Sequence, residues 1–449
     1  MVLKRILKVA IFLAILGVIL SGIQTVMVTP SYKARQFVSD FYKEPNNTLD
    51  AVFLGSSGTY NFWNAPYAWN KYGLAVYPFS TGTQPFEATE FLIREARKTQ
   101  PNALYIVQIR NLSLSDEAFH RVADVMPLSL NKIQMVQTVG DYLEIDLKEK
   151  IEYLFPLIGY HSRWNELEER DFFNPGYKGA PSDDNSSYWR KSTDVTSNYY
   201  TSEDTGELEE SLHNSLKSLL DYCDQEDLNV LFINTPQARK SRIARINTVK
   251  ETIEARGYTV LDMQWTVEDA NLNLATDFFD TGHTNIHGAI KVTDYISNYL
   301  LEHYDFVDKR GDAAYQSWDD TFESYSLEYV LANVVDVEWE GKPRDFTLSA
   351  PKPKTEVNKD TVTVTWKQVS GADGYRVYRR LGSTSKSPWD ARFYWEDIAA
   401  IETGQECKIT DKGLEASNTY YYTVVPYRNE DGVCYWGNYK YRGTGADIE

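Results

Sequence analysis

Between residues 49 and 304 the chain alternates short apolar runs with longer amphipathic stretches, and this alternation constrains the fold most. Five apolar runs predict buried strands, at residues 50–54, 74–80, 103–109, 229–234 and 258–262. Helical periodicity predicts helices at residues 86–99, 208–224, 238–256 and 285–304. Units of this length predict a parallel sheet that is covered by helices on both faces. Ligands on such sheets bind at the carboxyl ends of the strands.

The alternation is interrupted between residues 112 and 206, where the sequence becomes helical and irregular. An insertion at this point follows the third strand, so it would overhang the edge of the sheet where ligands bind. We expect it to set substrate specificity, although a segment without a function fits the pattern equally well.

The far end of the chain, residues 345–449, has all-β character, and an acidic connector at residues 306–344 precedes it. TVTVTW ends at Trp366, and Leu414 lies six residues before Tyr420 in a strand of alternating aromatic residues. These positions resemble those of a fibronectin type III domain, with its strand-B tryptophan and its tyrosine corner. Cys407 and Cys434 fall in this sandwich, and either a disulfide or two small core residues is consistent with their positions.

The first thirty residues contain an apolar run from Val9 to Val28 that follows Lys4, Arg5 and Lys8. A run of this length predicts a membrane-spanning helix, and the basic flank predicts a cytoplasmic N-terminus. The prediction is therefore a single-pass protein of the cell membrane: an anchor at residues 1–30 and an extracytoplasmic body that begins at residue 31. A cleaved signal peptide is the alternative.

The composition excludes several classes of function. The net charge is −18, which disfavours nucleic acid as a partner. Only three cysteines occur, without a CxxC pair, so neither a disulfide scaffold nor a zinc site is predicted. His287 follows His283 by four residues, but Thr284 stands where a zinc protease has glutamate. We therefore predict no metal and no organic cofactor.

Two short motifs carry the chemistry. Gly-Ser-Ser-Gly at residues 55–58 follows the first strand, and Asp-Thr-Gly-His at residues 280–283 precedes the last helix. A serine hydroxyl becomes a nucleophile when a base lies within hydrogen-bond reach and a carboxylate orients that base. The carboxyl ends of strands in one small parallel sheet face one crevice, so Ser57, His283 and Asp280 are expected to meet there. Asp277 is the other candidate for the acid.

These motifs resemble the SGNH/GDSL hydrolase superfamily over residues 49–304, with the insertion unmatched. The resemblance implies a flavodoxin-like, three-layer α/β/α domain at residues 31–305, with Ser57 as nucleophile, Asp280 as orienting acid and His283 as base. Gly82 matches the second block of the family, whose glycine amide contributes to the oxyanion hole.

The third block departs from the family pattern, which places an asparagine oxyanion donor after the third strand. Here the strand ends in Gln108-Ile109-Arg110-Asn111. Asn111 is the nearest candidate donor, and Arg110 is the alternative.

The insertion also contains His161, Arg163 and Trp164, a combination that suits an anionic or sugar substrate. A polar cluster that caps a helix is an equally good interpretation. Trp63 and Trp69 follow the nucleophile turn and are interpreted as packing residues.

The resulting prediction is a Ser-His-Asp esterase or O-acyltransferase that acts on cell-envelope glycopolymers through an acyl-serine intermediate. By resemblance to envelope members of the superfamily, its partners are an exported polysaccharide and a multispanning membrane acyltransferase. The alternative from another class is a wall-binding or scaffold protein in which the triad is vestigial.

Overall fold

A computed structural model describes most of the chain. The described residues are 2–28, 38, 40–172, 176–181, 186–190, 192–325, 343, 345, 347–381, 395–440 and 443–448. They divide into two compact units, Met1–Thr321 and Phe322–Glu449. The proposed start of the body at residue 31 and residues 326–342 of the connector lie outside the described residues, so the domain boundaries stay predictions.

The first unit contains a five-stranded sheet in which every pairing is parallel. Its strands, in chain order, are β1 (Ala51–Leu54), β2 (Val76–Tyr77), β3 (Leu104–Gln108), β4 (Val230–Asn234) and β5 (Val260–Asp262). They are arranged in space as β2-β1-β3-β4-β5, so the chain reverses direction across the sheet between β1 and β3. All residues of β1, β3 and β4 are buried, as expected for strands of a parallel sheet with both faces covered.

A separate antiparallel hairpin completes the strands of this unit. It consists of β6 (Phe278–Asp280) and β7 (His283–Thr284). The sequence analysis predicts no strand at these residues, because the two strands are too short to show a period-two pattern.

Fourteen α-helices can be described in the chain. They are α1 (Val2–Met27), α2 (Ser57–Tyr60), α3 (Ala65–Tyr72), α4 (Thr89–Ala96), α5 (Asp116–Ala123), α6 (Leu130–Tyr142), α7 (Leu147–Leu154), α8 (Leu157–Tyr160), α9 (Glu169–Phe172), α10 (Ser186–Arg190), α11 (Glu210–Gln225), α12 (Lys240–Glu254), α13 (Ile286–His303) and α14 (Gln316–Tyr325).

Several helices begin where the sequence supplies a capping side chain. Asn64, Ser115 and Ser129 accept hydrogen bonds from first-turn amides of α3, α5 and α6. Asp146 and Glu149 form a complete capping box at the start of α7. Each such cap satisfies a backbone donor that the helix itself cannot, and typically stabilises the helix by about 1 kcal/mol.

The tryptophans after the nucleophile turn are packing residues, as predicted. Trp63 and Trp69 are both fully buried. Trp63 Nε1 donates to Val76 O at 3.1 Å, and the Trp69 ring stacks on Tyr315.

The predicted N-terminal anchor is wrong. Residues Val2–Met27 form a 26-residue helix, but within the described residues no helix is long and apolar enough to cross a membrane. The uninterrupted apolar stretch covers only residues 9–20, because polar Ser21, Gln24 and Thr25 follow it, whereas a span needs about 20 apolar residues. The predicted localisation, as a single-pass protein of the cell membrane, is wrong for the same reason.

The predicted fold class is therefore wrong as a whole. The described strands form both parallel and antiparallel sheets, and the membrane-spanning helix that the prediction included is not supported. The parallel sheet itself is present in the first unit.

The second unit is an antiparallel β-sandwich. One sheet has the order β12-β9-β8, and the other has the order β11-β10-β13-β14, with β15 also paired to β13. The strands are β8 (Lys354–Asn358), β9 (Thr361–Thr365), β10 (Gly374–Leu381), β11 (Glu396–Glu402), β12 (Lys408–Lys412), β13 (Thr419–Glu430), β14 (Val433–Trp436) and β15 (Thr444–Asp447). This three-plus-four arrangement, with the last strand in two pieces, is that of a fibronectin type III sandwich.

The residues that carried the resemblance form the core of this sandwich. Trp366 packs edge-on against Tyr375, with 5.6 Å between the ring centroids. The hydroxyl of Tyr420 accepts a hydrogen bond from the Glu415 amide at 3.1 Å, which is a tyrosine corner. No disulfide joins Cys407 and Cys434 in the described structure.

Candidate active site

The first part of the candidate site is the turn between β1 and α2. Gly55 has φ +156°, and a Cβ there would lie 2.6 Å from the Gln108 Cβ. Only glycine suits such a backbone, because L-residues avoid this φ and the space is already filled. The Ser56 amide donates to Gln108 Oε1 at 3.3 Å, and Gly55 forms a parallel bridge with Ser80. The turn is thus fixed from two sides, and Ser57 begins the following helix.

The second part is the β6–β7 hairpin, which places Asp280 directly across from His283. The Phe279 ring stacks on the imidazole at a centroid distance of 5.3 Å. The insertion supports the hairpin, since Thr193 N donates to Phe278 O at 2.7 Å and Thr193 Oγ1 donates to Phe279 O at 2.8 Å. At least this part of the insertion therefore reaches the candidate site.

The two parts meet through a chain of hydrogen bonds. Ser57 Oγ lies 2.7 Å from His283 Nε2. On the other side of the ring, both carboxylate oxygens of Asp280 lie 3.0 Å from Nδ1. A carboxylate accepts but cannot donate, so we assign the ring proton to Nδ1. Nε2 is then free to accept the serine proton.

Two further contacts tie the nucleophile turn to the hairpin. Thr284 Oγ1 donates to the carbonyl of Asn61, just after α2. The buried guanidinium of Arg110 donates to Gly282 O and, at 3.3 Å, to Thr235 Oγ1. A Cβ on Gly58 would lie 2.8 Å from Arg110 Nη1, so Arg110 lies against both segments of the candidate site.

The electrostatics suit a serine nucleophile and a histidine base. Burial raises the pKa of the Asp280 carboxyl, but the hydrogen bond and charge of His283, the Gly282 amide and Arg239 outweigh burial and bring this pKa to about 2. Burial lowers the pKa of His283; the hydrogen bond and charge of Asp280 oppose this, and the charges of Arg110 and Arg239 add to it. The net pKa of His283 lies below its ordinary value. At neutral pH the imidazole is therefore unprotonated beside an ionised carboxylate.

The predicted oxyanion residues lie on neighbouring segments of the same edge. Asn111 Nδ2 donates to Thr83 O at 3.1 Å and to Gln84 O at 2.9 Å. Both amide hydrogens are used in this way, so Asn111 supports the loop that carries Gly82. Arg121 binds the same loop through Gly82 O and Thr83 Oγ1. The oxyanion roles of Gly82 and Asn111 stay predictions.

The predicted substrate-binding residues belong to a short 3-10 helix, His161–Asn165. The Arg163 guanidinium forms two 2.7 Å bonds to Asp171 and donates to Met27 O at 2.8 Å. It thereby caps the C-terminal end of α1. His161 is exposed, and its Nδ1 is bonded to Ile158 O of the preceding helix α8; Trp164 is 71% exposed. The structure brings none of these three into a described contact with the triad, and their role in binding stays a prediction.

Asp277, the alternative acid, is bonded to residues outside the triad, and His287 is the other histidine considered above as a metal ligand. Asp277 accepts from Lys291 Nζ at 2.7 Å and from Asn273 N at 2.8 Å. Burial lowers the pKa of His287. Over the described ranges no group of three or more His, Cys, Asp or Glu side chains is placed to hold a metal ion.

Sequence reasoning missed the polar residues that buttress the site. Gln108 accepts from Ser56 Oγ at 3.1 Å and donates to Thr235 Oγ1 at 3.0 Å, so it links the ends of three strands. Arg239 lies 3.9 Å from Asp280. The sequence contained a signal for both residues. Gln108 ends the buried strand β3 and Arg239 follows the buried strand β4, and polar residues at the carboxyl ends of such strands are functional candidates.

Comparisons with known proteins concern only a part of this chain. No family model matches it, and no curated protein matches it. Among solved structures, it is similar to the twitchin kinase region from C. elegans, at 15% identity and a TM-score of 0.17 over 24% of this chain and 17% of that one. The chain thus spans about a sixth of that region.

Two smaller structures are matched over most of their length. A Fn3-like protein from Clostridium thermocellum has 23% identity and a TM-score of 0.16, over 20% of this chain and 88% of that chain. The fn3 domain of human collagen alpha-1(XX) chain has 22% identity and a TM-score of 0.17, over 22% and 85% of the two chains. These TM-scores are too low to support an argument, so the assignment of the sandwich depends on the strand pairing described above.

Proposed function

We propose that this protein is a serine-dependent acyl esterase or O-acyltransferase that works through an acyl-serine intermediate. The observation that carries the proposal is the hydrogen-bonded series from Ser57 Oγ to His283 Nε2, at 2.7 Å, and from Nδ1 to Asp280, at 3.0 Å. Similarity to the SGNH/GDSL pattern in residues 55–58 and 280–283 supports the same chemistry.

In the proposed reaction Ser57 Oγ attacks the ester carbonyl while His283 Nε2 accepts the hydroxyl proton. The C–O bond of the ester then breaks, and the same proton passes to the departing alcohol. Water or a second alcohol attacks the acyl-serine, again with His283 as base, and releases either an acid or a new ester. Backbone amides next to Ser57 and Gly82 would hold the negative charge that develops on the carbonyl oxygen.

The ionisation states favour this assignment of roles. A general base must be unprotonated at the working pH, and the lowered pKa of His283 meets that requirement. Asp280 remains ionised, since its pKa is about 2. It therefore holds the imidazole in the required tautomer and stabilises the imidazolium that forms during attack.

The proposed substrate class is acyl esters of glycopolymers, with a multispanning membrane acyltransferase as acyl donor in the transferase case. Both parts of this proposal depend on the superfamily resemblance alone. A non-catalytic binding protein is the second candidate, and the observation that favours it is the use of both Asn111 amide hydrogens within the protein.

Labelling of the full-length chain with a fluorophosphonate probe separates the two candidates. We expect stoichiometric labelling of the wild type at Ser57, identified by mass spectrometry of the labelled peptide, and none in Ser57→Ala. Ser56→Ala is the matched control, because it removes the adjacent hydroxyl and should still be labelled. A folded wild type that resists the probe would overturn the enzyme proposal in favour of the binding protein.

A further inference from the structure

Two arginines, Arg110 and Arg239, lie against the loop that joins Asp280 to His283, and a third, Arg242, follows Arg239 on α12; acyl transfer itself does not require them. Arg239 Nη2 lies 3.9 Å from Asp280 Oδ1, and a Cβ on Gly282 would fall 2.4 Å from this Nη2. Arg110 is buried against the other side of the same loop through its bond to Gly282 O. Arg242 follows Arg239 by three residues on α12, and its charge contributes to the lowered pKa of Arg110. Two guanidinium groups therefore lie against the loop before His283.

This charge is not neutralised by the surrounding protein. Within the described part of the chain, Asp280 is the only carboxylate within 4.0 Å of these three guanidinium groups, and it already accepts from His283 and from the Gly282 amide. The imbalance is unusual here, because the chain carries 64 acidic residues against 46 lysines and arginines.

Arginines elsewhere in the same unit have close carboxylate partners. Arg94 lies 2.7 Å from Glu90, Arg97 lies 2.9 Å from Glu226, and Arg245, on the same helix as Arg242, lies 2.6 Å from Glu209. The arginines beside the triad therefore differ from the usual pattern of this protein.

The placement of these cations is also electrostatically unfavourable for the local fold. Arg239 occupies the N-cap of α12, makes no side-chain cap and is followed by no acidic residue in the first turn. Cations at this end oppose the helix dipole, which favours anions there. Burial lowers the pKa of Arg110 to about 9, and repulsion from Arg239 and Arg242 contributes to the lowering. Gln237, two residues before Arg239, is fully buried, and neither polar atom of its side chain has a hydrogen-bond partner in the described structure.

We infer that the site takes an ester whose molecule carries an oxyanion, a carboxylate or a phosphate, close to the scissile bond, and that Arg239 and Arg242 bind this group. About a third of the Arg239 side chain is exposed, next to the partly exposed side chain of Asp280, so Arg239 is accessible to a bound substrate. Arg110 is bonded to Gly282 O and Thr235 and serves as a positioning residue. The inference rests on the proposed esterase chemistry and names its substrate class.

The first test compares matched neutral and anionic esters with the full-length chain. The pairs are methyl 4-acetoxybenzoate with 4-acetoxybenzoate, and 4-nitrophenyl butyrate with mono-4-nitrophenyl glutarate. They place the carboxylate on the alcohol side and on the acyl side, respectively. We expect kcat/KM to favour the anionic member of at least one pair by about tenfold, the value of one hydrogen bond to a charged group. Arg239→Gln and Arg242→Gln should each remove most of that preference.

Arg245→Gln is the control, because it removes a charge from the same helix at a residue already paired with Glu209. The preference should survive in this variant. Hydrolysis of the neutral esters without any preference for the anionic partners would overturn the inference while leaving the esterase proposal intact.

A second test does not depend on turnover. Inorganic phosphate and glutarate, each compared with sodium chloride at equal ionic strength, should raise the Tm of the wild type and of Arg245→Gln, and not that of Arg242→Gln. The relative effects of phosphate and glutarate distinguish the two kinds of oxyanion. A shift that appears without any ester turnover or fluorophosphonate labelling would support an anion site while refuting the esterase. Equal shifts in all three proteins would overturn the anion site.

Discussion

The two units of the molecule differ in how their strands are connected, and this difference explains why the candidate site lies in the first unit. In the first unit, parallel strands require crossover helices, so a strand end meets segments that are distant in the chain. Ser57 and His283, which are 226 residues apart, share a hydrogen bond for this reason. In the sandwich, three antiparallel pairs, β8 with β9, β10 with β11 and β13 with β14, join strands that follow one another in the chain. The tyrosine corner joins residues only five apart.

Charged side chains show the same contrast. On the sandwich, Arg376 pairs with Asp397 across two neighbouring strands, and Arg379 pairs with Glu396 and Asp411. Each of these cations has a close carboxylate. At the edge of the parallel sheet, cations face the catalytic hairpin with one carboxylate among them. We therefore expect substitutions in the first unit to affect reactivity and substitutions in the sandwich to affect stability.

The largest expected effect is that of Asp280→Asn. The amide retains the shape of the side chain but removes the charge, and it disfavours the tautomer in which Nδ1 carries the proton. We expect kcat for 4-nitrophenyl acetate to fall by about 10³–10⁴-fold. The matched control is Asp277→Asn, at the alternative acid. A larger loss in that variant than in Asp280→Asn would assign the orienting role to Asp277.

The sequence allowed the strand ends and the two motifs to be placed, because buried runs and their turns are local signals. It did not reveal that Arg163 caps the C-terminal end of α1, because the bond from Arg163 to Met27 O joins residues that are 136 apart in the chain. Nor did it reveal that both hydrogens of the Asn111 amide are bonded to the loop beyond Gly82, since side-chain bonds of this kind have no periodicity. The anchor prediction failed on a quantity that sequence does contain, the length of the uninterrupted apolar stretch.

Trp366→Ala tests the sandwich, where substitutions are expected to affect stability. The buried indole fills the sandwich core against Tyr375, so its removal should lower the free energy of unfolding of this unit by about 3–5 kcal/mol. Denaturant titration followed by circular dichroism measures the change, and 4-nitrophenyl acetate turnover should persist under native conditions. Loss of turnover in a variant whose first unit remains folded would show that the two units are coupled.

Tyr420→Phe should have a smaller effect within the same sandwich. It removes the acceptor for the Glu415 amide and should cost about 1 kcal/mol in the free energy of unfolding. Tyr421→Phe is the matched control, on the adjacent residue of the same strand, whose ring packs on Arg380. Equal losses in the two variants would contradict a tyrosine corner.

The smallest expected effect is a displacement of the pH profile by Arg239→Gln. The charges that face His283 are those of Asp280, which raises the histidine pKa, and of Arg110 and Arg239, which lower it. Removing the Arg239 charge favours the protonated imidazole and so raises this pKa. Turnover requires the neutral base, so the acid limb of log kcat/KM against pH should move to higher pH. A shift to lower pH, or the same shift in Arg245→Gln, would contradict this account.

The central claim is that Ser57 and His283 act as one catalytic unit, and a double-mutant cycle tests it most directly. The measurement is kcat for 4-nitrophenyl acetate with full-length wild type, Ser57→Ala, His283→Ala and the double variant. When two residues act in the same step, removing the second costs little once the first is gone. We therefore predict that either single substitution lowers kcat about as much as the double substitution does. Two modest losses that multiply in the double variant would mean that the residues act independently, and would contradict the account.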